Sequence, residues 1–135
     1  MKQSQQVITR FPIESDFEVH NIQRLSELIN EVFDHAESGM CKDKCVRTNP
    51  AEVHRLLRDE ALILAEIDGM LVGSVRISIV SGGIGEFGML VADRKYRGIG
   101  IGSALVEHAE NWARQNACHT MRLKVLAPRN WTHPS

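Results

Sequence analysis

Cysteine is scarce and odd in number. Cys41, Cys45 and Cys118 cannot all be paired, which argues against a disulfide framework. No apolar run approaches the length of a membrane span, and the amino terminus, MKQSQQVITRF, lacks the apolar stretch of a secretory signal. A cytoplasmic protein without membrane contact is the resulting expectation. An excess of charge is missing too: the net value is −1, so nothing draws the chain generally to nucleic acid or anionic lipid, and any basic site must be local. Aromatic residues make up 5%, and no extended basic and aromatic surface of the kind that binds nucleic acid is visible. With 135 residues and 43% hydrophobic content, a single domain over 1–135 with one core is expected.

A metal site is not expected. Cys41 and Cys45 are spaced C-x-x-x-C with His35 and His54 nearby, but the spacing is irregular and no second ligand pair follows, so reduced loop thiols are the better account. Cys118, at a helix-to-strand junction, reads as packed rather than nucleophilic.

What the chain does have is alternating periodicity. Residues 6–14 suggest a first strand, interrupted by Pro12 and therefore suited to a sheet edge. From Glu18 to Ala36, Ile22, Leu25, Ile29, Val32 and Phe33 recur on one helical face. Residues 37–48 read as a loop or an irregular helix end. Asn49 is placed to cap a helix that starts at Pro50 and turns Val53, Leu56 and Leu57 inward. Strand-like runs at 61–67 and 70–80 flank Asp68-Gly69, the strongest short hairpin signal in the chain. In the second run Leu71, Gly73, Val75, Ile77 and Ile79 share one side, and Ser74, Arg76 and Ser78 the other. After Ser81-Gly82-Gly83 comes a further strand, 85–92, and a last strand begins near Thr120, with Met121, Leu123 and Val125 alternating with Arg122 and Lys124.

Between the strand at 85–92 and a helix over 101–115 lies Tyr96-Arg97-Gly98-Ile99-Gly100-Ile101-Gly102-Ser103. Glycine lets amides approach a ligand, the helix start offers unpaired N–H groups and positive dipole, and Arg97 adds a cation, so the turn suits a pyrophosphate. A purely structural turn, a dinucleotide fold and a nucleoside-triphosphate loop compete with that reading. The dinucleotide pattern G-x-G-x-x-G fails because its third glycine would fall on Ser103 and no acid stands about 20 positions on. The triphosphate loop fails because no Gly-Lys precedes a Ser or Thr. R-x-x-G-x-G, carried by Arg97, Gly100 and Gly102, does fit.

Here the chain resembles the GNAT superfamily of acetyl-CoA-dependent N-acetyltransferases, whose signature Q/R-x-x-G-x-G/A joins the fourth strand to the third helix. Residues 85–107, GEFGMLVADRKYRGIGIGSALVE, follow the family's strand, loop and helix. Residues 61–79 match its hairpin, and 120–130 its fifth strand and the turn after it. The resemblance implies an α+β fold, with a mixed central sheet flanked by helices, and acetyl transfer from acetyl-CoA to a primary amine of a small molecule or peptide. It implies no metal. The fourth and fifth strands of the family splay apart to admit the pantetheine arm, so backbone contacts are expected from Leu90, Val91 and Ala92, one N–H of which would stabilise the developing oxyanion. The pyrophosphate is expected on Arg97, Gly98, Ile99, Gly100, Ile101, Gly102 and Ser103. Glu86, eleven positions before Arg97, matches the strand-borne glutamate that some members use as general base through an ordered water. Asn130 matches an asparagine that touches the cofactor in many members. Both have bland alternatives, an exposed strand glutamate and an ordinary turn residue.

At the carboxyl end the chain departs from the family, stopping at Ser135 before the helix that carries a thiolate-protonating tyrosine and before the last two strands. Tyr96, the one tyrosine, sits in the turn and does not match that role. A carboxyl-terminally truncated domain is therefore expected, with an open edge that a second copy covers near Leu123 to Leu126 as a homodimer. A non-catalytic CoA-binding or interaction module is the alternative. Glu37, Asp43 and Glu52 would favour a cationic acceptor unless they are merely solvated.

Overall fold

Local chemistry sets the first half of the fold. The structure, a computed structural model, describes residues 6–36 and 48–123. A short strand β1 (Ile8–Arg10) leads through a 3-10 turn at Glu14–Phe17 into helix α1 (Val19–Ala36). Pro12 falls just past β1, so the strand is shorter than the 6–14 expected. Arg10 holds this corner, donating from Nη1 to Asp16 Oδ2 at 2.7 Å and from Nε to Glu66 Oε1 at 2.6 Å. Helix α2 (Pro50–Arg58) starts as its sequence requires: proline sits in the first turn, and Asn49 Oδ1 accepts the Glu52 N–H at 2.9 Å.

Strands β2 (Leu62–Ile67) and β3 (Met70–Ser81) form a hairpin. Asp68 (φ 52°) and Gly69 (φ 82°) give the two left-handed residues that match a tight turn to strand twist. Strand β4 (Ile84–Ala92), helix α3 (Ile101–Gln115) and strand β5 (Thr120–Leu123) follow. The sheet order is β1-β2-β3-β4-β5, antiparallel except for the parallel β4–β5 pair that α3 connects.

The sheet is covered on both sides, which is why β2 is buried along nearly its whole length. On one face Leu62, Leu64, Met89 and Val91 pack against Leu25, Leu28 and Ile29 of α1 and Val53, Leu56 and Leu57 of α2. On the other, Ile63, Ala65, Val75 and Ile77 pack against Ile101, Leu105 and Ala109 of α3. Each fully buried Leu or Ile contributes roughly 1.5–3 kcal/mol. Leu71 lies with the α1/α2 core, not on the Val75 side expected from simple alternation. The reason is a register shift between Ala65 and Glu66, where β3 carries one residue more than β2 and its alternation reverses.

At Gly73 the start of α3 comes close to the sheet. An added Cβ would lie 2.6 Å from Val91 O, 2.9 Å from Ile101 Cγ2 and 3.2 Å from Leu105 Cδ1. We expect Gly73→Ala to destabilise the protein by roughly 1–3 kcal/mol, read as a lower urea midpoint. At Gly82 an added Cβ meets nothing within 4 Å, so Gly82→Ala should stay within about 0.5 kcal/mol of the parent. Equal effects at the two sites would contradict this packing.

Candidate functional site

The site grows out of an irregularity in β4. From Ser74↔Val91 to Arg76↔Gly88, two steps on β3 face three on β4, so β4 bulges. Met89 absorbs the extra residue with φ 48°. On the other side, β4 pairs with β5 only from Ile84↔Thr120 to Phe87↔Leu123. Beyond Phe87, β4 has no partner on that side among the described residues. Leu90 is 36% exposed, Val91 is buried in the α1/α2 core, and Ala92 packs toward α3, so of these three only Leu90 turns a side chain outward.

At the end of β4 stands Asp93, buried, its carboxylate accepting from Lys95 N–H at 3.0 Å and from Arg24 Nη2 at 2.7 Å. Arg24 reaches across from α1 and also donates to the Leu71 carbonyl at 3.2 and 3.0 Å. Burial alone would push the Asp93 carboxyl up. The bonds from Lys95 and Arg24 outweigh it and hold the group below the usual carboxylate range.

Next come a 3-10 turn at Arg94–Tyr96 and then the glycine segment. Gly98 (φ 83°) and Gly100 (φ 84°) are both left-handed, and the space beside each is open. The first hydrogen bond of α3 runs from Ala104 N–H to Gly100 O at 2.9 Å. The N–H groups of Ile101, Gly102 and Ser103 therefore precede the helical ladder, and no side chain caps them at Gly100. Ile101 is buried against the sheet and Ile99 packs toward the same core, so these two bring backbone to the turn while their side chains anchor it. Arg94, Lys95 and Arg97 are exposed, and none is in an ion pair among the described residues. Such an arrangement fits a doubly charged phosphate ester: free amides, a helix start and three exposed cations in the segment that leads to them.

Glu86 faces away from α3, since its neighbours Gly85 and Phe87 face toward it. It stands between Ser78 on β3 and Arg122 on β5. Arg122 Nε donates to Glu86 Oε2 at 3.0 Å, leaving Oε1 without a protein partner among the described residues. The Glu86 side chain is 15% exposed, so it is not the solvated strand residue of the bland alternative.

Sequence reasoning missed Arg122 as the partner of Glu86, the Arg24–Asp93 pair, and the cations Arg94 and Lys95. The run Asp93-Arg94-Lys95-Tyr96-Arg97 was a signal for the last two, whereas the Arg24–Asp93 pair spans 69 positions and left none. Asn130, Cys41, Cys45 and the His35 side chain lie outside the described residues. His54 packs edge-on against Phe17 at 5.5 Å between ring centroids. Cys118 is half-buried, its Sγ 4.0 Å from the Asn116 carbonyl. No helix among the described residues is long and apolar enough to cross a membrane.

Comparison with known proteins follows the same lines. The family model described as Acetyltransferase (GNAT) family matches residues 22–133. Among curated proteins, none matches this chain closely enough to count as a sequence relative. Solved structures with the same fold include a Mycobacterium tuberculosis protein in complex with CoA, at 18% identity and a TM-score of 0.62, covering 82% of this chain and 60% of that one. This chain thus spans less than two thirds of that relative's length. A GNAT family acetyltransferase of Staphylococcus aureus shares 15% identity at TM-score 0.63, covering 96% of this chain and 93% of that one. The PaiA N-acetyltransferase of Thermoplasma acidophilum, in complex with coenzyme A, shares 15% at 0.65, covering 93% and 82%.

The Arg24–Asp93 pair should matter for stability. Asp93→Ala strands the half-buried Arg24 guanidinium and frees the Lys95 N–H, so urea unfolding should show a loss of roughly 2 kcal/mol at neutral pH. Because the folded-state pKa of Asp93 is depressed, its contribution is complete above the unfolded value of about 3.9 and fades as pH falls through the folded one. Parent and Asp93→Ala should therefore converge in stability below about pH 4. A gap that does not narrow at all as the pH falls below about 4 would rule out this pair as its source.

Proposed function

The chain belongs to the acetyltransferase (GNAT) family, and on that premise we propose that it moves an acetyl group from acetyl-CoA to a primary amine. One observation carries the reading: the left-handed Gly98 and Gly100 present the free amides of Ile101 to Ser103 at the end of the strand that bears Glu86. Bound there, acetyl-CoA supplies an activated acetyl group as a thioester, with the CoA thiolate as leaving group.

This chain's residues divide the remaining work. The amides from Gly98 to Ser103 hold the diphosphate, with Arg97 beside it and Arg94 and Lys95 at the same mouth. The side of β4 at Leu90 to Ala92, unpaired among the described residues, orients the pantetheine arm through backbone groups. Glu86 accepts the amine proton at Oε1, directly or through water, while Arg122 fixes the other oxygen and so the direction of the carboxylate. Asn130 joins the cofactor contacts in this proposal. So does a homodimer closed over the β5 edge, where Leu123 is 55% exposed.

Calorimetry with acetyl-CoA, followed by thiol release over an amine panel, tests the reading. Arg97→Ala should weaken CoA binding about tenfold. Glu86→Gln should lower kcat by about 10²–10⁴-fold with CoA affinity unchanged. Tight CoA binding without thiol release from any amine would instead mark a CoA-binding module. Light scattering showing a folded monomer at every concentration would remove the dimer.

A further inference from the structure

The same sheet face that bears Glu86 carries two polar groups left without partners among the described residues. Arg76 lies on β3, on the side opposite Val75 and Ile77, which pack toward α3. It is half-buried, and it makes no hydrogen bond or ion pair among the described residues. Its cross-strand partners are Leu62 on β2 and Gly88 on β4, neither of which offers a polar side chain. Two positions before it, Ser74 is fully buried and its Oγ has no hydrogen-bond partner. Buried polar groups are normally satisfied, and a guanidinium partly withdrawn from water loses hydration that only an anion or several acceptors can replace.

Glu86 does not serve as that anion. It pairs with Ser78, two register steps from the Arg76–Gly88 pair, so the two residues are diagonal neighbours roughly 7–8 Å apart along the sheet. Glu86 is committed to Arg122 instead. Nor do the acids near the first helices argue for a cationic acceptor: Glu52 accepts from Thr48 Oγ1 at 2.7 Å and lies 3.7 Å from Arg55, while Glu37 and Asp43 fall outside the described residues.

We propose that Arg76 is the acceptor-carboxylate site, and that the amine this protein acetylates is a small molecule of the amino-acid class. The planar fork of Arg76 takes the carboxylate in a paired hydrogen bond, which places the amine toward Glu86 two residues along the strands. This rests on the acetyltransfer reading above. The transfer itself balances: the amine nitrogen bonds to the acetyl carbon, the carbon–sulfur bond breaks, the thiolate keeps the electron pair, and the amine proton passes to Glu86.

The test reads binding first. The CoA-saturated full chain is titrated calorimetrically with L-alanine against L-alaninamide, L-glutamate against its α-amide, and spermidine. Each carboxylate should bind about tenfold or more tightly than its amide and than spermidine. Arg76→Gln should abolish the preference with CoA affinity within about twofold of the parent, which also shows that the variant folds, and Arg76→Lys should keep part of it. Amides binding as well as acids, spermidine binding more tightly than either, no acid binding at millimolar concentration, or a preference that survives Arg76→Gln would each overturn the proposal. Thiol release is scored separately. A carboxylate preference without release from any amine strikes at the transfer reading alone, and release without the preference strikes at Arg76 alone.

Discussion

Asp93 is the point through which the rest of the architecture is tied. Its N–H donates to the Val72 carbonyl at 2.7 Å and its own carbonyl accepts from Tyr96 N–H at 3.0 Å, so its backbone joins β4 to β3 and opens the 3-10 turn. Its two carboxylate oxygens are taken by Lys95 N–H and Arg24. One residue thus uses all its polar atoms to set where the strand stops, how the chain turns and where the first helix sits. A buried charge is tolerated there because the surrounding donors replace the water it gave up.

From that fixed point two local departures from regular geometry make the site. The bulge at Met89 turns β4 out of its ladder, and the two left-handed glycines turn the chain into α3 with its first amides unspent. Both departures lie within a dozen residues of each other. The two cores on either side of the sheet hold β3 and β4 while the chain departs from regular geometry here.

Much of the fold was legible because it is written in short-range chemistry. Asn49-Pro50 and Asp68-Gly69 each specify their element within a few residues, and each element is where that chemistry puts it. Family membership over residues 22–133 also accords with the R-x-x-G-x-G segment. The misses have a common cause. Leu71 changed sides because of a register shift set jointly by β2 and β3, and the pairs Arg24–Asp93 and Glu86–Arg122 join residues 69 and 36 positions apart. Alternation within one strand is silent about its neighbour's count, and a charge in sequence does not say which opposite charge the fold will bring to it. Glu86 was legible as a candidate by its spacing, yet its orientation depends on a fifth-strand arginine that spacing does not reveal.

Arg24 has a further consequence. Its guanidinium binds the Asp93 carboxylate and the Leu71 carbonyl together, so α1 is clamped by a single side chain to both strands. One side chain on α1 thereby links the carbonyl at the start of β3 to the carboxylate at the end of β4, so the place where the glycine turn begins is tied to the first helix as well as to the sheet.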